Sequence, residues 1–147
     1  MLKKTITYTD WNGEERTEDF YFNLTRVEIY ELEYDVEPGT SLTEVLDTLV
    51  KSKDYGRLIG TIKKVILTAY GEKSADGKRF MKGEDIRRSF EENPAFDELY
   101  MSLITDPKKI AEFIVGIMPS SVRDNLGSDP TNELVKQIEA RIGDRSE

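Results

Sequence analysis

Neither cysteine nor histidine occurs anywhere in the 147 residues. The first absence removes disulfides, thiolate nucleophiles and sulfur-ligated zinc sites. The second removes the side chain most often used as general base and metal ligand near neutral pH. Together they exclude the common catalytic triads and dyads and leave carboxylates, Lys and Ser as the groups available for chemistry. No apolar run approaches the roughly eighteen residues that a membrane helix needs. Met1-Leu2-Lys3-Lys4 leads into a strand-like alternation rather than an apolar leader core, so secretion is not expected. Internal repeats and low-complexity segments are also missing.

What is present describes a folded chain with a charged exterior. Apolar residues make up 37% and charged residues 34%, and six Phe, seven Tyr and one Trp argue against disorder. The length suits one domain with one core. The formal net charge is −8, which opposes binding to nucleic acid or an anionic membrane. The basic pairs Lys63-Lys64, Lys78-Arg79, Arg87-Arg88 and Lys108-Lys109 are short and mixed with acids, as on solvated helix faces.

The pattern begins in strands and turns helical. Ile6 and Tyr8 alternate with Thr5, Thr7 and Thr9, Asn12-Gly13 is a hairpin turn signal, and Phe20 and Phe22 alternate around Tyr21. These features predict a hairpin of residues 3–9 and 16–23, which must lie on something to be stable. Thr25 and Glu28 have capping-box spacing before a helix over 26–34, and Pro38-Gly39 ends it. Ser41 and Glu44 repeat the box before the stripe Leu42, Val45, Leu46, Leu49 and Val50. A helix over 55–70 carries Leu58, Ile59, Ile62, Val65, Ile66, Ala69 and Tyr70 on one face. This longest stripe is expected at the centre of the core, with Gly71 as its C-terminal stop. Residues 71–83 read as a charged loop, and a short helix near 83–91 turns Ile86 and Phe90 inward. Asn93-Pro94, Asp106-Pro107 and Asp129-Pro130 each place a capping side chain before a proline, predicting three more helix starts. Residues 120–128 read as a linker or one short helical turn. The last helix, with Leu134, Val135, Ile138 and Ile142, either docks on the body or is left for a partner.

Candidate chemistry is sparse. Glu14-Glu15, Glu28 with Glu31, Glu84-Asp85 and Glu91-Glu92 sit beside turns, caps or exposed faces, whereas acid/base or metal work needs carboxylates converged or desolvated by the fold. Gly71, Gly77 and Gly83 with Lys73, Lys78 and Arg79 lack phosphate-loop spacing and a preceding strand, so a partner-binding loop is the better reading. Trp11, at the hairpin turn, is either folded back on the sheet or an exposed aromatic anchor. Met101 and Met118 read as core filler.

The run Val65-Ile66-Leu67-Thr68-Ala69-Tyr70-Gly71-Glu72-Lys73-Ser74-Ala75-Asp76-Gly77-Lys78-Arg79-Phe80 resembles the centre of tail assembly chaperones from siphophages and prophages of Gram-positive bacteria. So do Asn93-Pro94-Ala95-Phe96-Asp97-Glu98-Leu99-Tyr100-Met101-Ser102-Leu103-Ile104-Thr105-Asp106 and Ala111-Glu112-Phe113-Ile114-Val115-Gly116-Ile117-Met118-Pro119. The likeness takes in the N-terminal strand pair and weakens after Ser120. It implies a non-enzymatic protein without cofactors or metals that binds the tape-measure protein before the tail tube polymerises. The tail tube protein and a second copy of the chain are further partners it allows. The setting it implies is the host bacterial cytoplasm, with the chaperone absent from the finished virion. A structural tail or connector protein is the alternative, and a carboxylate-dependent enzyme a remote one.

The expected fold is mostly α, a helical domain with an N-terminal β-hairpin. A chaperone body spans 1–119, with the hairpin at 3–23 and helices over 26–118, and 120–147 forms a linker and C-terminal helix. Partner contacts are expected at Trp11, Lys73, Lys78, Arg79 and Phe80 and at Leu134, Val135, Ile138 and Ile142. The charge argument makes its own prediction. In a gel-shift assay at physiological salt the protein leaves duplex DNA unshifted, and a tight, salt-sensitive complex would overturn the reading of the basic pairs.

Overall fold

The computed structural model describes residues 1–36, 38–42, 44, 45 and 55–123. Leu46, Leu49 and Val50 of one predicted stripe, and the predicted helix after Asp129-Pro130, lie outside the described residues. The rest is a helix-dominated α+β fold. Its elements are β1 (Leu2–Thr9), β2 (Glu15–Phe22), α1 (Arg26–Val36), α2 (Tyr55–Ala69), β3 (Tyr70–Lys73), β4 (Phe80–Met81), α3 (Glu84–Glu91), α4 (Pro94–Ile104), α5 (Pro107–Ile117) and the short α6 (Ser120–Arg123). One four-stranded sheet has the order β1-β2-β3-β4, with every pairing antiparallel.

The hairpin forms where the alternation places it. β1 and β2 run in unbroken register from Leu2↔Phe22 to Thr9↔Glu15. Ile6, Tyr8, Phe20 and Phe22 are all buried, so the hairpin packs on the helical body as an isolated strand pair must. α4 lies against β1, and α5 touches it. The outward face is polar and cross-linked: Thr5 donates to Asp19 at 2.6 Å, and the Thr7 and Thr17 hydroxyls are 2.9 Å apart. At the turn the Asp10 carboxylate accepts from the amides of Asn12 and Glu14, and Gly13 takes a positive φ of 81°. The guanidinium of Arg16, 2.6 Å from Asp10, holds that carboxyl below the usual range.

Helix starts follow their caps. The Thr25–Glu28 box closes in both directions, with Thr25 N–H donating to Glu28 at 2.9 Å and Glu28 N–H to Thr25 at 3.1 Å. Glu44 N–H donates to Ser41 Oγ at 3.2 Å. Asn93 accepts from Ala95 N–H at 2.9 Å and Asp106 from Lys108 N–H at 3.1 Å, each one residue before a helix-opening proline. A cap of this kind contributes about 1 kcal/mol.

The end of α2 departs from expectation. Gly71 does not stop the helix: Ala69 is followed at once by β3, and Gly71 pairs with Tyr21 of β2. The terminal carbonyls of α2 find other partners. Asn23 N–H donates to Ala69 O at 2.9 Å and the Lys82 ammonium to Thr68 O at 2.9 Å. Glycine is needed at 71 because a Cβ there would come within 2.7 Å of the Phe80 ring and 2.9 Å of the Met81 carbonyl. Residues 71–83 are therefore not a plain loop but chiefly a small hairpin that extends the sheet. Only two residues of β3 face β2, too few for a period-2 pattern to reveal.

The core is one aromatic-rich cluster. Phe22, with no exposed surface, lies 5.7 Å from Tyr70, 5.6 Å from Phe90 and 5.3 Å from Phe113 between ring centroids, while Tyr70 stacks on Phe90 at 4.2 Å. Ile62, Val65, Ile66 and Ala69 of α2 are buried, as the stripe predicts, and Leu99, Leu103, Phe113, Ile114 and Ile117 close the core from α4 and α5. Two expectations fail. Ile59 is 43% exposed and Met101 is 48% exposed. Tyr100, whose hydroxyl donates to Ile59 O at 3.1 Å, joins the neighbouring ends of α2 and α4 by a polar contact. Met118 is buried, as expected.

Two stability predictions follow from this packing. Ile62→Ala removes most of a side chain that is 4% exposed and should cost about 2–5 kcal/mol, read as a lower urea midpoint. A midpoint equal to wild type would place α2 at the periphery. Burial, with Glu72 beside it, pushes the Tyr70 phenol up to about 12 from its ordinary 10.0. A raised folded-state pKa contributes stability that is present below pH 10 and lost as pH rises through the folded value. Lys82, shifted down by burial despite Glu28, acts in the opposite sense. The urea midpoint should therefore fall less steeply from about pH 9 to about pH 11.5 in Tyr70→Phe than in wild type. Equal slopes would mean a solvated phenol.

Candidate partner-binding surfaces

The carboxylates do not converge. Among the described residues no group of three or more His, Cys, Asp or Glu side chains is placed to hold a metal. Glu28 is engaged by Lys82 at 2.7 Å and Glu91 by Lys63 at 2.8 Å, while Glu84 and Asp85 occupy the exposed first turn of α3, where they complement its dipole. Glu14 lies 3.9 Å from Arg16 at the turn. Of the basic pairs, Lys64 meets Asp35 at 3.5 Å. The void between α2, α4 and α5, lined by Ile62, Val65, Ile66, Leu103, Ile110, Phe113 and Ile114, measures about 10 Å³ and is apolar. It is no larger than one water and offers no polar partner, so it holds no cofactor.

The β3–β4 hairpin carries four of the residues read as partner contacts. Its turn is fixed by its own polar groups: Ser74 Oγ donates to Asp76 at 2.7 Å and accepts from Arg79 N–H at 3.0 Å, and Lys78 N–H donates to Asp76 at 3.0 Å. These bonds, Ser74 first, hold the Asp76 carboxyl below its ordinary value. Lys73, Lys78 and Arg79 are exposed, and the Lys73 ammonium stands 4.2 Å over the Tyr21 ring. Phe80 is half-buried and turned onto Gly71. The hairpin thus displays three cations from a turn whose backbone is held by Ser74 and Asp76, with Phe80 packed at its base.

Trp11 is exposed and not folded back on the sheet. Its indole is 83% exposed, yet Nε1 donates to the Glu92 carbonyl at 3.1 Å, where α3 ends. The ring leans toward the α3–α4 junction and, with Tyr8, Asp10, Ser89, Glu92, Asn93 and Pro94, lines an open groove of about 340 Å³. Tyr8, which lines the same groove, donates to Glu18, and this bond raises the phenol's pKa, with burial adding to the effect. Leu134, Val135, Ile138 and Ile142 lie outside the described residues.

One surface escaped the sequence reading. Val27, Tyr30 and Tyr34 of α1 are 63%, 72% and 70% exposed, on the side opposite the buried Ile29 and Leu32. Their i, i+3, i+7 spacing was the available signal. A helix whose apolar positions fall on two faces has only a weak overall amphipathic pattern.

Among the described residues no helix is long and apolar enough to cross a membrane. No curated protein and no solved structure matches the chain. A family model described as phage tail assembly chaperone matches residues 1–143. The match runs beyond Pro119, where the resemblance of the sequence weakens, and takes in the apolar stripe at 134–142. The role its description gives that family is assembly. The chain belongs to the phage tail assembly chaperone family.

Proposed function

We propose that the protein binds the tape-measure protein of a long-tailed phage of the siphophage type, before and during assembly of the tail tube. The observation that carries this reading is the family match over residues 1–143. Its physical requirement is a soluble exterior joined to apolar contact surface. A tape-measure protein offers long apolar helical stripes that aggregate when left bare, and helix-in-groove contact is the mode suited to them. The net charge of −8 keeps the chaperone soluble.

The chaperone works in the host bacterial cytoplasm and leaves before the virion is complete, displaced as the tail tube protein polymerises. Residues 1–119 form the chaperone body, and 120–147 serve as linker and docking helix. Contact falls on the β3–β4 hairpin, through Lys73, Lys78, Arg79 and Phe80, on Trp11, and on the stripe Leu134, Val135, Ile138 and Ile142. The Lys73 ammonium over the Tyr21 ring and the hydrogen-bonded indole of Trp11 support this choice, since side chains already held lose little freedom on binding.

Co-expression with the tape-measure protein of the same phage tests the reading. The expected result is a soluble tape-measure protein that co-purifies with the chaperone. Deleting 128–147 should leave the body folded by circular dichroism and weaken that co-purification several-fold. Equal retention by the truncated chain would remove the C-terminal stripe from the contact surface. A full chain that neither solubilises nor retains the tape-measure protein would end the proposal, and recovery of the chain from purified particles would favour a structural tail component.

A further inference from the structure

The exposed face of α1 begins close to where α5 ends. Val27, Tyr30 and Tyr34 form a stripe across seven helical steps, about 10 Å at the helical rise. Glu31 and Asp35 run along one edge of it. The amide of Leu24 donates to the carbonyl of Ile117 at 2.8 Å. The end of α5 is thereby fixed beside the start of α1, and only α6 separates it from the residues after Arg123.

Those following residues, 124–147, carry the complementary pattern. Leu134, Val135, Ile138 and Ile142 fall on one face at helical spacing, spanning about 12 Å if helical. Arg141 and Arg145 lie three residues beyond Ile138 and Ile142, which puts two cations on one edge of that face. The intervening residues 124–133 reach up to about 35 Å when extended, roughly twice the length of α1. A stripe tethered this closely meets its seat at millimolar effective concentration, so modest apolar contact suffices.

We infer that the segment 134–142 seats its apolar stripe on Val27, Tyr30 and Tyr34 of its own chain, with Arg141 and Arg145 facing Glu31 and Asp35. Asp35 then shares its charge between these arginines and Lys64, 3.5 Å away. The contact holds two apolar faces out of water in the free chain, and a partner's helix must displace it to reach either one.

The absence of cysteine makes disulfide trapping clean. In the full chain, Tyr30→Cys/Ile138→Cys should oxidise to an intramolecular disulfide in most molecules at low micromolar concentration. The control Thr17→Cys/Ile138→Cys, with its first cysteine on the outer face of β2, should not. Disulfide-linked dimers in place of the internal bond would mean that a second copy occupies the face and would overturn the proposal. So would trapping no greater than in the control. A separate readout uses Ile138→Asp/Ile142→Asp in an otherwise wild-type chain. Nitration of Tyr30 and Tyr34 by tetranitromethane should rise several-fold over wild type while that of the buried Tyr70 stays unchanged. Unchanged reactivity of Tyr30 and Tyr34 would overturn the seating. Both readouts use the isolated chain, so their failure is distinct from failure of tape-measure binding.

Discussion

Two residues tie the fold together. Asn23 and Leu24 join β2 to α1, and their backbone groups are bonded to elements far along the chain. Asn23 N–H satisfies the last carbonyl of α2, Asn23 O accepts from Lys82 at 2.6 Å, and Leu24 N–H satisfies Ile117 O at the end of α5. Buried backbone groups must be paired, and here the pairing of one connector fixes where two helices stop. It explains why α2 needs no glycine cap and why Leu24 has no exposed surface.

Lys82 completes the junction. Its ammonium donates to Asn23 O, Thr68 O and Glu28, and its side chain is only 14% exposed. Burial lowers its pKa, the expected sign for a cation leaving water. Three acceptors, one of them charged, offset much of that cost, and a helix C-terminus is a favourable place for a cation. Glu28 serves twice, capping α1 through one oxygen and holding Lys82 through the other. A cation of β4's flank is thus wired to the start of α1, while Phe22 immediately before the junction carries the aromatic contacts to Tyr70, Phe90 and Phe113.

Among the described residues, the capping and turn signals whose partners lie within a few residues formed as the sequence predicts: the Asn12-Gly13 turn, the Thr25–Glu28 box and the Asn93 and Asp106 caps. The buried side chains of α2 were legible because an uninterrupted stripe can hardly do anything but pack. What escaped was set by distant partners. Gly71 looks like a helix stop until Phe80 and Met81 are seen to press on it. The pairing of β3 with β2 occupies two residues, and no periodicity survives at that length. Ile59 belongs to the stripe by spacing, yet the part of α2 that carries it is left partly uncovered. Trp11 reaches a carbonyl eighty-one positions away, a contact for which no neighbouring residue gives a sign.

The surface follows a different logic from the core. The core is filled mostly by Phe and aliphatic side chains, with Tyr8 and Tyr70 among them, and the large apolar side chains left outside include Trp11, Tyr30 and Tyr34 beside Val27, Ile59 and Met101. Indole and phenol present broad apolar area while their polar atom stays in water or, for Trp11, on a backbone carbonyl. Such side chains lose few rotamers on contact and cost less in solubility than Leu or Ile would. Binding that is to be reversed cannot rest on a surface as sticky as a protein core. Aromatic residues with a polar tip, spaced along a helix and edged by acids, give contact that is broad but not dry, and contact of that kind can be reversed.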